Sequence, residues 1–151
     1  MLRQRLTDAL KVAMKRRAVV EVATLRLILA ALKDRDIAAR TKGDANPIDD
    51  DGLLRLLQTM VKQRNEAIGL YEQGGRLELA ERERDEITVI EAYLPRQLDE
   101  AEIEAAVRQV IEDTGASGLK NMGATMAELR RRHAGSMNFA KASDMVKREL
   151  G

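Results

Sequence analysis

The sequence predicts an all-α protein, with an N-terminal helical region of about four helices over residues 1–95 followed by a small three-helix tail over residues 96–151. Three observations carry that expectation. Apolar residues recur at helical spacing along most of the chain, and period-2 runs bounded by turn residues are absent. Tyr71, Tyr93 and Phe139 are the only aromatic residues, so Leu, Ile, Val, Ala and Met must fill the interior, as they do in helical bundles. Finally, Pro95 stops one long helical pattern, and a new helix is announced within a few residues.

The elements follow in order. Leu2, Leu6, Leu10 and Ala13/Met14 form the stripe of a first helix, with Lys11, Lys15, Arg16 and Arg17 outside it or past its end. A second helix is expected from about Val19 to Arg40. Its centre, from Leu25 to Leu32, is apolar nearly all round, which predicts burial on more than one side. Gly43, Asn46 and Pro47 mark a loop. Asp49, Asp50 and Asp51 then offer an N-cap and favourable charge at the start of a third helix carrying Leu53, Leu56, Leu57, Met60 and Ile68. Gly74-Gly75 should end it, because glycine accepts a left-handed cap. A fourth helix runs from about Leu77 to Tyr93. Its first half is charged on nearly every face and is expected to project into solvent.

Pro95 lacks an amide hydrogen and pushes Leu94 out of the α region. Asp99 sits where an N-cap belongs, with Glu102 three residues on, the spacing of a capping box. The tail then has three stripes. Ile103, Ala106, Val107, Val110 and Ile111 end at Gly115. Leu119, Met122, Met126 and Leu129 end near Gly135. Phe139, Ala142, Met145, Val146 and Leu150 follow Asn138 as a cap. Such a three-helix unit is near the lower size limit for independent folding.

Composition narrows the chemistry. There is no cysteine, which removes disulfides, thiolate metal sites and cysteine nucleophiles together. No apolar run approaches the ~18 residues of a membrane span, and no signal-like segment opens the chain. A cytoplasmic protein with no membrane association is expected. The single histidine, His133, falls at an expected helix end, where a cation meets free carbonyls. The aspartates 49–51 lack the spaced oxygens of a calcium loop, and phosphate-loop and dinucleotide patterns are absent. No cofactor, metal or catalytic set is expected.

Charge is unevenly spread. Residues 1–40 hold 10 Lys/Arg against 4 Asp/Glu, residues 41–95 hold 7 against 12, and residues 118–151 hold 7 against 3. Either the basic helices pair with the acidic ones, or they face an anionic partner. In the tail, Gly115-Ala116-Ser117-Gly118 precedes a helix that begins with Lys120 and Asn121, with Gly123 in its first turn. Helix starts bind phosphate, and a glycine lets a partner backbone approach closely. The alternative is a simple turn, with Gly123 allowing tight internal packing. Arg130, Arg131, Arg132, Lys141, Lys147 and Arg148 suggest a basic face on the last two helices. Aromatic stacking platforms for single strands are lacking, so any nucleic acid is expected to be read through backbone and shape. The candidate RNA- or partner-binding residues are Ser117, Lys120, Asn121, Gly123, Arg130, Arg131, Lys141 and Lys147.

The order and spacing of several segments resemble the YqeY family, which is similar to the C-terminal tail of the B subunit of the tRNA-dependent amidotransferase. They are Leu25-Arg26-Leu27-Ile28-Leu29-Ala30-Ala31-Leu32-Lys33, Val61-Lys62-Gln63-Arg64-Asn65-Glu66-Ala67-Ile68, Tyr71-Glu72-Gln73-Gly74-Gly75-Arg76, Tyr93-Leu94-Pro95-Arg96-Gln97-Leu98, Gly115-Ala116-Ser117 and Lys120-Asn121-Met122-Gly123-Ala124-Thr125-Met126. The resemblance implies a two-part helical protein whose tail, about Gln97 to Leu150, is of a kind that helps to hold tRNA. The amidotransferase's catalytic cradle has no counterpart here. The function so implied is a non-catalytic module that engages tRNA or a tRNA-handling enzyme. The alternatives are a component of carbon–nitrogen ligase activity with glutamine as amide donor, and a protein-interaction module without RNA affinity. Oligomeric state is not legible.

Overall fold

The apolar stripes become helices in the computed structural model, which describes all residues from Met1 to Gly151. They are α1 (Leu2–Arg16), α2 (Val19–Thr41), α3 (Asp50–Gln73), α4 (Leu77–Glu91), α5 (Glu100–Thr114), α6 (Met122–Arg132) and α7 (Phe139–Leu150), with a short 3₁₀ turn at Leu119–Asn121 leading into α6. No strand forms. The chain divides into two compact units, Met1–Leu94 and Pro95–Gly151. No helix is long and apolar enough to cross a membrane.

The core of the first unit joins Leu2, Leu6 and Ala13 of α1, Leu25, Ile28 and Leu32 of α2, Leu53, Leu56, Leu57 and Met60 of α3, and Ile90 of α4. Thr24 is also buried. Its hydroxyl donates to the Val20 carbonyl at 2.8 Å, which satisfies the one polar group that α2 inserts there. The acidic run at the start of α3 works as capping chemistry. The Asp49 carboxylate accepts from the Gly52 amide at 2.9 Å, and Asp50 accepts from the Met1 ammonium and the Leu2 amide.

A second polar lock in this unit centres on Asp36. It accepts from the Arg3 guanidinium at 2.9 and 3.2 Å and from the Ile48 amide at 2.9 Å. Arg3 also donates to the Ile48 carbonyl at 3.1 Å. One carboxylate therefore ties α1, α2 and the loop before α3 together.

Three helices end in the same motif. In each, the amide of a left-handed residue reaches back three residues and the next amide reaches back five, satisfying carbonyls that the helix leaves free. At the end of α3 the left-handed residue is Gly75, as the sequence predicts, with bonds from Gly75 to Glu72 and from Arg76 to Tyr71. At the end of α2 it is Gly43. At the end of α1 it is Arg17 at φ 56°, with Arg17 bonded to Met14 and Ala18 to Ala13. No glycine signals that turn in the sequence, and the side chain there costs about 1–2 kcal/mol in the left-handed well.

Two expectations for this unit need correction. The centre of α2 is buried on one side only: Leu27 is 47% exposed, and Ala30 also faces solvent. Packing against α1, α3 and α4 covers the Leu25–Ile28–Leu32 face and leaves the opposite face open. The charged half of α4 does not simply project into solvent either. Ala80 is fully buried and Ile87 nearly so, in a small cluster with Ile68 of α3. The small Ala80 side chain lets the helices approach, and the Arg64–Glu86 pair, at 2.8 Å and largely buried, neutralises charge at the contact.

In the second unit, Ile103, Val107 and Val110 meet Met126 and Leu129, Met137, and Ala142, Met145, Val146 and Leu150. Asp99 and Glu102 form the predicted capping box, with bonds of 2.8 and 3.1 Å. Asn138 caps α7 through the amides of Ala140 and Lys141. The segment before α5 is fastened to the loop after α6: the Leu98 amide donates to the Ser136 carbonyl at 2.8 Å, and the Gln97 side-chain amide to the Gly135 carbonyl at 2.6 Å. The helical spacing places Leu119 in the core stripe, yet it is 58% exposed. The 3₁₀ turn advances about 120° per residue rather than 100° and rotates it off the stripe. Met137, in the loop before α7, fills the interior as well.

Candidate partner-binding surface on the tail

Gly115 and Gly118 both take positive φ, so the stretch between them is a true turn. Asn121 holds it shut, its side-chain Oδ1 accepting from the Ser117 amide at 2.9 Å. The Asn121 amide donates to the Gly118 carbonyl, and that of Met122 to Leu119. A helix start binds phosphate only through amides that are free. Those of Asn121 and Met122 are engaged within the chain, because the 3₁₀ turn supplies its own acceptors. Ser117 and Asn121 thus act first as braces of the turn.

Gly123 is exposed, and a Cβ built on it would meet nothing within 4 Å. Tight internal packing therefore does not require the glycine. Lys120 stands exposed just before it, next to the exposed Leu119. Sequence reasoning missed Leu119 as a surface residue. The signal available was Gly118 immediately ahead, which resets the helical phase.

The cations that follow do not form one continuous basic face. Arg131 pairs with Glu128, its Nε lying 3.0 Å from the carboxylate. Arg132 bridges Glu128 at 2.8 Å and Asp113 at 2.7 Å. Lys141 pairs with Glu100 at 3.0 Å. Arg130 turns the other way and rests over the half-buried Phe139 ring at 5.6 Å. Lys120, Lys147 and Arg148 form no ion pair and are exposed. The reason for the split is angular: three consecutive helical residues point about 100° apart, so each arginine finds a different neighbour.

The sequence profile described as "Yqey-like protein" matches residues 3–150. The chain belongs to that family. Among curated proteins, this Yqey-like chain is similar to the protein named "Altered inheritance of mitochondria protein 41, mitochondrial" in several organisms. With that of Eremothecium gossypii it is 33% identical over 89 residues, 59% of this chain and 46% of the relative. With that of Lachancea thermotolerans it is 31% identical over 106 residues, 69% of this chain and 54% of the relative. The Yqey-like chain spans about half the length of the curated relatives it matches.

Electrostatics on the Yqey-like tail follow the same pairing. Hydrogen bonds from Arg131 and then Arg132 hold the Glu128 carboxyl down at about 2. Arg132, and then the Gln109 amide, lower Asp113. These carboxylates stay charged at any physiological pH, so Arg131 and Arg132 keep their partners until a stronger anion displaces them. Solvent screens exposed pairs of this kind, so a phosphate can compete. His133 closes α6, its amide donating to the Leu129 carbonyl at 2.9 Å.

Proposed function

We propose that this protein is a non-catalytic helical module of the cytoplasm whose tail unit engages tRNA, or the enzyme that handles it, through phosphate contacts. One observation carries the reading: Lys120, Lys147 and Arg148 are exposed cations left without an acidic partner, on a tail whose other surface charges are largely paired. Free cations gain most from meeting phosphate, since they surrender no internal ion pair. The open space over Gly123 supports close approach of a backbone beside Lys120. Arg130 on Phe139 offers a flat cationic surface at the same helix pair. The nearest alternative, a role within glutamine-dependent amide transfer, would need an acid–base or nucleophile set supplied by a partner. The word "mitochondrial" in the relatives' names is compatible with the same work in an organelle that translates its own messages.

The test is a mobility-shift titration with unfractionated tRNA over a salt series. Lys120→Ala, Lys147→Ala and Arg148→Ala should each weaken binding for all tRNAs alike, because phosphates carry no sequence information. Each should also lower the salt slope by roughly one. If the triple variant binds as tightly as the parent at every salt, or if the parent does not bind, the tail is not a phosphate-reading surface. A protein-interaction role without RNA would then replace this reading.

A further inference from the structure

The exposed side of α2 carries a pattern that the core does not explain. Counted in sevens from Val20, residues Val20, Ala23, Leu27, Ala30, Asp34 and Ile37 alternate by three and four, the spacing of the seam of a coiled coil. All six are exposed. Val20, Leu27 and Ile37 are 46%, 47% and 49% exposed. The core residues Leu25, Ile28 and Leu32 occupy the opposite side. An amphipathic surface helix should present polar residues to water, so a second apolar stripe on the outside of α2 needs an occupant.

Charge says what kind. Arg26, Lys33 and Arg40 recur every seven residues along one edge of the stripe; all are exposed, and the one carboxylate that feels them within the chain is Asp36, which Arg40 helps to keep charged from a distance. The other edge, Thr24, Ala31 and Ala38, carries no charge. We infer that the solvent face of α2 docks a single acidic amphipathic helix of another protein, with aliphatic side chains over the stripe and Asp/Glu along the Arg26–Lys33–Arg40 edge.

Other occupants fit less well. Two copies of α2 packed antiparallel would set the basic edge against itself, and packed parallel would set it against the uncharged edge. Neither gives the charge pairing that selects partners at such seams. A membrane surface would have to accept Asp34 in the middle of the apolar stripe, and the stripe is only a narrow seam with small alanines at two of its six positions. Those alanines leave room for larger residues from one facing helix. Asp34 then sets register, since a polar residue in such a seam asks for a polar partner opposite. Nucleic acid would use the arginines and lysine but leave Leu27 and Ile37 against water.

The test uses the full chain and two fluorescent synthetic helices of about three heptads with Leu along the seam, one with Glu and one with Lys on both flanks. Anisotropy should show saturable binding of the Glu peptide and none of the Lys peptide. Leu27→Glu should weaken that binding about tenfold or more. The triple variant Arg26→Glu, Lys33→Glu and Arg40→Glu should reverse the preference. All four sites are exposed, so circular dichroism should show parent-like helicity in both variants. Equal binding of the two peptides, binding of neither, or a Leu27→Glu variant that binds like the parent overturns the inference. So does a dimer by sedimentation that Leu27→Glu dissolves, which assigns the face to a second copy. Leu27-dependent binding to phosphatidylglycerol vesicles in place of the peptide would assign it to a membrane.

Discussion

Replacing Asp36 with alanine removes the acceptor on which α1, α2 and the loop before α3 converge. Asp36 is 15% exposed and receives three hydrogen bonds, two from Arg3 and one from the Ile48 amide. Arg3 is more exposed and keeps its bond to the Ile48 carbonyl, so it recovers most of its solvation in the variant. The Ile48 amide is part-buried and loses its acceptor, which costs about 1–3 kcal/mol. The lost ion pair adds up to ~1 kcal/mol. The expected destabilisation is therefore about 1–4 kcal/mol, read as a lower urea midpoint at neutral pH. Arg3, and then the Ile48 amide, hold the Asp36 carboxyl below its ordinary value of 3.8. The folded state thus favours the charged form. Its contribution is complete above the ordinary value and fades as pH falls through the lowered one. The gap between parent and variant should close in acid. An Asp36→Ala cost below about 0.5 kcal/mol would refute the lock. In an Arg3→Ala background the cost should fall by no more than the ~1 kcal/mol of the ion pair, because the Ile48 amide still loses its acceptor.

Three further outcomes follow from the geometry. Arg17→Gly should raise stability by about 0.5–1 kcal/mol, because glycine removes the left-handed penalty at the end of α1 and returns only part of the gain as unfolded-state entropy; a lower melting temperature would contradict this. The fragment Pro95–Gly151 should show a helical circular dichroism spectrum, and Leu129→Ala, at a fully buried site, should cost about 2–5 kcal/mol and unfold it; a coil-like parent fragment would deny the tail its own core. Glu102 is held at about 2, against an ordinary 4.5, first by its hydrogen bond from Arg96 and then by the Asp99 amide; any stability gap between parent and Glu102→Ala should be full above 4.5 and vanish toward pH 2, and a pH-independent gap would show that the capping box is not its source.

What was legible in the sequence was local. The Asp99–Glu102 box lies within one turn, and its residue types suffice to specify it. Gly75 declares the end of α3 because a left-handed residue is needed there and glycine adopts it freely. The family could be named because ordered segments along the chain keep their spacing. Among the candidate site residues, Lys120, Gly123 and Lys147 stand exposed on the tail, and their role there rests on the RNA titration.

What only tertiary structure decided was which groups find partners far along the chain. Arg132 meets Asp113 from 19 residues away, Lys141 meets Glu100 from 41, and Arg3 meets Asp36 from 33. Counting charges could not separate those paired cations from the free Lys120 and Lys147. The α2 helix shows the same limit for packing: a stretch that is apolar nearly all round has no periodicity to choose a buried side. Leu119 and Met137 trade places because a 3₁₀ turn shifts phase and a loop residue has none. The sequence determined where helices begin, end and carry apolar stripes, since those depend on residues within a turn of one another. The tertiary structure determined which stripe is core and which charge is free, since those depend on whatever the chain brings alongside.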